Sequence, residues 1–300
     1  MLAAFLTPIL FSISAIAGRR LSHELSAVWS NLLRLTLGAL LLGAWSHIFG
    51  FGLGSGAFPL LFASGCVGFG IADMAMFNAY RRLGSRRTMI FTQCLAAPFG
   101  ALAEWAWLGH APTLAQAGFG VLILIGVAVA LMPGRADAPP IHGLAAGVCF
   151  GLVSAMGQGL GAVMSRKAYA VAAAHGHEFH TVGDGVNAAY QRMLGGICVS
   201  VVVFFFLKLF RWPDEPPVNN WVKAWRPLLV NGLCGPVLGV TCYQWALMTE
   251  PTSIVLPIAA TTPLMVQPLA HFLEGDRITP HAVLGGVMAV AGVIGLTLAR

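Results

Sequence analysis

Long apolar runs parted by short polar breaks organise this chain from end to end. Ten runs stand out, over residues 2–18, 28–48, 58–80, 88–108, 114–132, 143–165, 186–208, 227–248, 252–273 and 281–299. A helix needs about 20 apolar residues to cross the hydrocarbon core of a bilayer. Backbone groups cannot stay unpaired in lipid, and runs this long exclude barrel strands. The pattern therefore predicts an all-α integral membrane protein with about ten transmembrane helices. No basic stretch precedes the first run, which reads as the first membrane helix and not as a cleaved signal. Small residues recur four apart, as in Gly157–Gly161 and Gly235–Gly239, where helices can approach closely. Three connections carry polar length: 133–142, the His-rich 166–185, and 209–226, whose Trp212, Trp221 and Trp225 suit headgroup depth.

Composition sharpens the picture. Of 300 residues, 57% are hydrophobic and 9% charged, with a mean hydropathy of +0.79. A soluble domain carries about 25% charged residues, so this chain could not clothe a water-facing surface. The net charge of +6 resides mostly in short loops, which fits anionic headgroups and not nucleic acid. The six cysteines lie inside apolar runs, none in a CxxC, and read as small packing residues.

The two halves resemble each other. The stretch from Thr88 to Leu131 matches the stretch from Ser253 to Leu298: Pro98 falls on Pro263, Thr113 on Thr279, Gly120 on Gly286 and Gly126 on Gly292, after one inserted residue. The first run ends in SAIAGRR and the sixth in GAVMSRK; Arg34 corresponds to Arg192, and Phe77 to Tyr243. Corresponding elements keep their order. Five helices per copy is an odd number, so the second copy must enter from the opposite face, giving two inverted five-helix repeats, a hallmark of transporters. The expected organisation is a first repeat over 1–132, a linker over 133–142 and a second repeat over 143–300.

Arg34, FNAYRRLGSR closing the third run, Pro98, WLGHAPT and the Gly-studded fifth run, with FLEGDRIT (272–279) in the second half, carry a resemblance to a known family. The repeat resembles the EamA-type unit of the drug/metabolite transporter superfamily over nearly the whole chain. WLGHAPT departs from the pattern by lacking its acidic–basic pair. The resemblance implies a bundle around a central cavity, lined mainly by helices 1, 3, 4, 6, 8 and 9. It also implies export or exchange of amino acids, related metabolites or drugs.

Charges inside a membrane are costly and need a reason. Four stand out: Arg34, Asp73, Glu104 and Arg192. A buried Asp73 without a partner could hold a proton, as a proton-coupled carrier loads; paired with an Arg such as Arg34 it would only lock the bundle. Glu104 shares a face with Gly100 and Gln93 and could line a cavity, or could snorkel beside Trp105 and Trp107. Arg34 and Arg192 occupy equivalent positions. Duplication favours a shared structural role, such as capping carbonyls or pairing a carboxylate; the functional reading is a cationic handle for an anionic solute. Ser154, Gln158, Gly161 and Ser165 share one face of the sixth run, and Gln267, His271 and Glu274 one face of the ninth. Asn231 and Gln244 lie in the eighth. Gln158 and Gln267 are favoured as ligand contacts over plain helix–helix hydrogen bonding. The HGHEFH stretch (175–180) reads as a solvated loop and not a metal site, since it lacks the HExxH helix spacing.

These residues suit a secondary carrier of a small solute, with no cofactor and with protons as a candidate coupling ion. A membrane-embedded enzyme using Asp73, Glu104 or the His-rich loop, and a lipid-handling or accessory protein, are the alternatives. A monomer or homodimer in a bacterial-type inner membrane is expected, both termini on one side. Twelve Lys and Arg fall in the loops after helices 1, 3, 5, 7 and 9, against three in the other loops and at the C-terminus. The positive-inside rule places the twelve in the cytoplasm, whereas the family resemblance implies the reverse.

Overall fold

A computed structural model describes residues 2–108, 113–131, 143–174, 176, 179–210, 220–249, 258–275 and 279–299. Among them run ten helices: α1 (Leu2–Glu24), α2 (Ala27–Phe49), α3 (58–83), α4 (85–108), α5 (Leu114–Leu131), α6 (Leu144–Ala174), α7 (Val182–Leu209), α8 (221–249), α9 (Thr262–Glu274) and α10 (Pro280–Leu298). Gly84 separates α3 from α4 with φ 78°, a conformation only glycine adopts cheaply. The chain folds back there: Asp73 and Gln93 line one pocket, although a straight helix would hold them about 30 Å apart.

Caps start the helices where the sequence places small polar residues. Ser26 accepts from the Trp29 N–H, and Thr181 forms a reciprocal capping box with Asp184. Thr113 and Thr279, matched between the halves by sequence, both cap the helix that follows them: Thr113 accepts from Gln116 N–H at 3.2 Å and Thr279 from Ala282 N–H at 3.3 Å.

Helices from the two halves interleave. α5 packs along α10, α2 along α7, α1 against α8 and α9, and α6 against α3 and α4. Bare glycine backbone permits the closest of these contacts. A Cβ on Gly195 would lie 2.0 Å from the Phe62 carbonyl, and one on Gly285 2.4 Å from the Ala130 nitrogen. Side chains such as Leu40, Phe205 and Leu284 point outward, exposed by 69%, 62% and 56%. Apolar surface of this extent suits hydrocarbon and not water.

The two ends of the bundle are distinct. At one, Gln191 donates to the Gly52 carbonyl at 2.8 Å, Phe51 stacks edge-on to Phe179, and the Trp245 indole donates to the His180 carbonyl at 3.3 Å. At the other, Arg19 meets Glu274 at 2.5 Å and the Asn220 N–H donates to the Glu24 carbonyl at 2.9 Å.

Helix ends depart from the hydropathy boundaries. The expected break at Arg166–Lys167 falls inside α6, which continues to Ala174 and is about 46 Å long. Its alanine-rich tail is a strong helix former, and Ala168 and Ala172 are buried beside Phe179 and Leu61. α8 begins at Trp221 within the expected interfacial connection; Trp221 and Trp225, half exposed, sit on its first turns. Trp212 and the first part of the ninth apolar run, 252–257, lie outside the described residues.

Candidate functional site

Three helices of the bundle are interrupted by π-helical turns: Cys66–Ala72 in α3, Ile90–Cys94 in α4 and Leu233–Val237 in α8. Each widens its helix and re-aims side chains, and such bulges are common at functional sites. All three contribute to one pocket of about 70 Å³ through Phe69, Gln93, Gly235 and Pro236. In this conformation it has room for about five waters. α1 adds Phe11 and Ser14, α2 adds Arg34, α3 adds Asp73, and α6 adds Gln158.

Asp73, 3% exposed, is held from two sides. One carboxylate oxygen pairs with the Arg34 guanidinium; the other accepts from the Gln158 amide at 2.8 Å. Arg34 is itself braced. Its Nε donates to Asn31 Oδ1 at 3.1 Å, and its guanidinium lies 5.0 Å from the Phe77 ring centre. Asn31 donates in turn to the Phe69 carbonyl at 2.6 Å and to Ser200 at 3.0 Å. The network joins α2, α3, α6 and α7. It keeps a full ion pair out of water with nearly every polar atom occupied, the condition for a tolerable buried pair.

Of the residues singled out by sequence, Arg34, Asp73, Gln93 and Gln158 converge on this pocket. The others lie elsewhere. Gln267 is buried but donates to the Ala282 carbonyl at 3.3 Å, tying α9 to α10. His271 is exposed beside Phe272. Asn231 clamps α8 to α1 through the Ser14 carbonyl at 2.8 Å and hydroxyl at 2.9 Å, one residue behind the pocket wall. Gln244 is fully buried and accepts from the Tyr169 hydroxyl. Arg192 is buried against Phe69, its guanidinium 4.9 Å from the ring centre. The Glu104 side chain, and His175, His177 and Glu178 of the His-rich stretch, lie outside the described residues. The common structural role expected of the two arginines splits. Arg34 has a carboxylate, whereas Arg192 has none within 4.0 Å among the described residues.

Two features escaped the sequence reading. The π turns share no local sequence signature: CVGFGIA and LCGPV carry glycine or proline, and IFTQC neither. The other is a clamp at the Gly84 end, where Glu274 accepts from Arg19 at 2.5 Å and from the Ser85 hydroxyl at 2.7 Å, while Arg20 donates to the Leu273 carbonyl at 2.5 Å. It ties α1, the α3–α4 turn and α9 together. Glu274 was visible as an acidic residue in FLEGDRIT, but its partners are 255 and 189 residues away.

Among the described residues, five stretches are long and apolar enough to cross a bilayer, including the 50-residue span Phe58–Trp107 that Gly84 folds in two. With the outward apolar faces and the buried charge network, they define a multi-pass membrane protein. The EamA-like transporter family matches residues 1–132 and 145–298, and the chain belongs to that family. It is thus a membrane transporter of the drug/metabolite type. A solved structure described only as a crystal structure of a protein shares its fold, with a TM-score of 0.63 at 17% identity over 99% of this chain and 96% of that one. No curated protein matches the chain.

Proposed function

We propose that the protein is a secondary carrier that moves a small metabolite, such as an amino acid or related solute, by alternating access, as an exporter or exchanger. The observation that carries this reading is the central pocket, where Asp73, Arg34, Gln93 and Gln158 converge on three π-helical interruptions. Irregular backbone at membrane depth is tolerated where it lines a cavity, and broken helices commonly hold the substrate in transporters. Ten spans in two inverted repeats accommodate the interleaved packing of α1 with α8 and α9 and of α6 with α3 and α4. The Arg19–Glu274–Ser85 clamp then closes one end and would have to part when that end opens.

Flux of labelled amino acids into liposomes carrying the purified protein tests the reading. Saturable uptake of at least one solute, competed by its unlabelled form, is expected. Uptake equal to that of empty liposomes across amino acids, nucleosides, organic acids and cationic drugs would overturn it.

We further propose that the Gly84 end faces the cytoplasm of an inner-membrane protein, because most of the loop arginines and lysines gather there. Leu53, 45% exposed, marks one end and the exposed Lys223 the other. In a background with the six native cysteines replaced, Leu53→Cys should react with an impermeant maleimide in intact cells, and Lys223→Cys only after permeabilisation. The opposite labelling pattern would reverse the orientation.

A further inference from the structure

Among the described residues, Arg192 is a buried cation with no carboxylate within 4.0 Å. It is 4% exposed, makes no hydrogen bond among the described residues, and its Nε is sealed from solvent with no acceptor. Its equivalent, Arg34, has Asp73. Matching Phe77 with Tyr243 carries Asp73 onto Gly239, so the second half keeps the arginine and lacks the carboxylate. Removing one member of a buried pair leaves an expensive uncompensated charge, and in a membrane-spanning helix such a charge marks a functional site.

Glycines 68 and 161 leave backbone open beside the guanidinium: a Cβ on them would lie 3.0 Å and 3.5 Å from its Nη2. The Tyr169 hydroxyl donates a hydrogen bond to Gln244 Oε1, and the Gln244 amide Nε2 is buried with no acceptor among the described residues. Gln244 of α8 thus holds an unmatched donor beside Tyr169 of α6. Phe69, the ring on which Arg192 stacks, lines the central pocket and sits in the π turn of α3.

We propose that Arg192 binds the single negative charge of the transported solute, a monoanion such as a carboxylate, reached from the central pocket past Phe69. One uncompensated cation balances one negative charge; a doubly charged phosphate would leave net charge in hydrocarbon. The apolar walls from Phe11, Met76, Met89 and Val240 favour an apolar remainder. This inference rests on the carrier reading.

The test compares thermal melting of the purified full chain, wild type, Arg192→Met and Arg34→Met, with sodium 3-phenylpropionate or the neutral 3-phenylpropanamide. Without additive, Arg192→Met should melt at or above the wild-type temperature, because an empty anion site gains nothing from its cation, whereas Arg34→Met should melt lower. The carboxylate should stabilise the wild type and not Arg192→Met, with an affinity loss of about tenfold or more, the size expected for a charge-assisted hydrogen bond. The amide should stabilise neither. Arg192→Met destabilised as strongly as Arg34→Met, or stabilised by the carboxylate as well as the wild type, would overturn the proposal. A protein that carries only neutral or cationic solutes into liposomes keeps the carrier reading and loses this one. A protein that binds the carboxylate at Arg192 and carries nothing keeps the anion site and loses carriage.

Discussion

Asp73→Asn should abolish solute flux, down to the level of empty liposomes, and lower stability at the same time. The side chain sits between the Arg34 guanidinium and the Gln158 amide, with 3% of its surface exposed. Removing its charge leaves Arg34 uncompensated, a loss of about 3–5 kcal/mol for a buried pair. Stability alone cannot separate a lock from a working group, so the Arg34→Gln/Asp73→Asn double variant decides. With both charges gone neither position is left with a stranded buried ion, and melting should recover. If Asp73 serves transport, flux stays at background in this refolded double variant. Recovery of flux together with the fold would reduce Asp73 to a lock.

Arg34→Gln alone should be the costliest polar substitution in the first half, again by about 3–5 kcal/mol. The change strands the Asp73 carboxylate and frees Asn31 Oδ1, which accepts from Arg34 at 3.1 Å. Loss of the guanidinium also removes its packing on Phe77. The single variants should be strongly non-additive, because each destroys the same interaction. A double-mutant cycle by thermal or denaturant unfolding in detergent measures the coupling. Additive effects of Arg34→Gln and Asp73→Asn would show that the two charges stabilise the bundle independently.

The helices were legible because hydrophobic length is a local property. Membrane-length apolar runs leave the backbone no alternative to helix. Thr113 and Thr279 were legible as equivalents of each other, and the structure adds that each bonds the N–H three residues on. Asp73, Gln93, Gln158 and Arg34 could be picked out since polar groups are rare and expensive in such runs. Helix ends were less legible. The charges at Arg166–Lys167 signalled a membrane boundary, and α6 ran on regardless, since the alanines beyond them find a packing surface.

The pairings were decided only in three dimensions. Local sequence ranked Gln158 and Gln267 alike, yet one bonds Asp73 in the pocket and the other spends its amide on the α10 backbone. Sequence also made Arg34 and Arg192 equivalents. The difference between them arises on other helices: α3 presents the Asp73 carboxylate to Arg34, and among the described residues no helix presents one to Arg192 within 4.0 Å. The amino-acid sequence by itself determined that the chain is a multi-pass helical membrane protein, where its helices run, and which polar residues need a reason, because burial in lipid charges every residue individually. The tertiary structure alone decided which charge is matched, which is left open and where the π turns gather into a pocket. Those outcomes depend on contacts between residues tens to hundreds of positions apart.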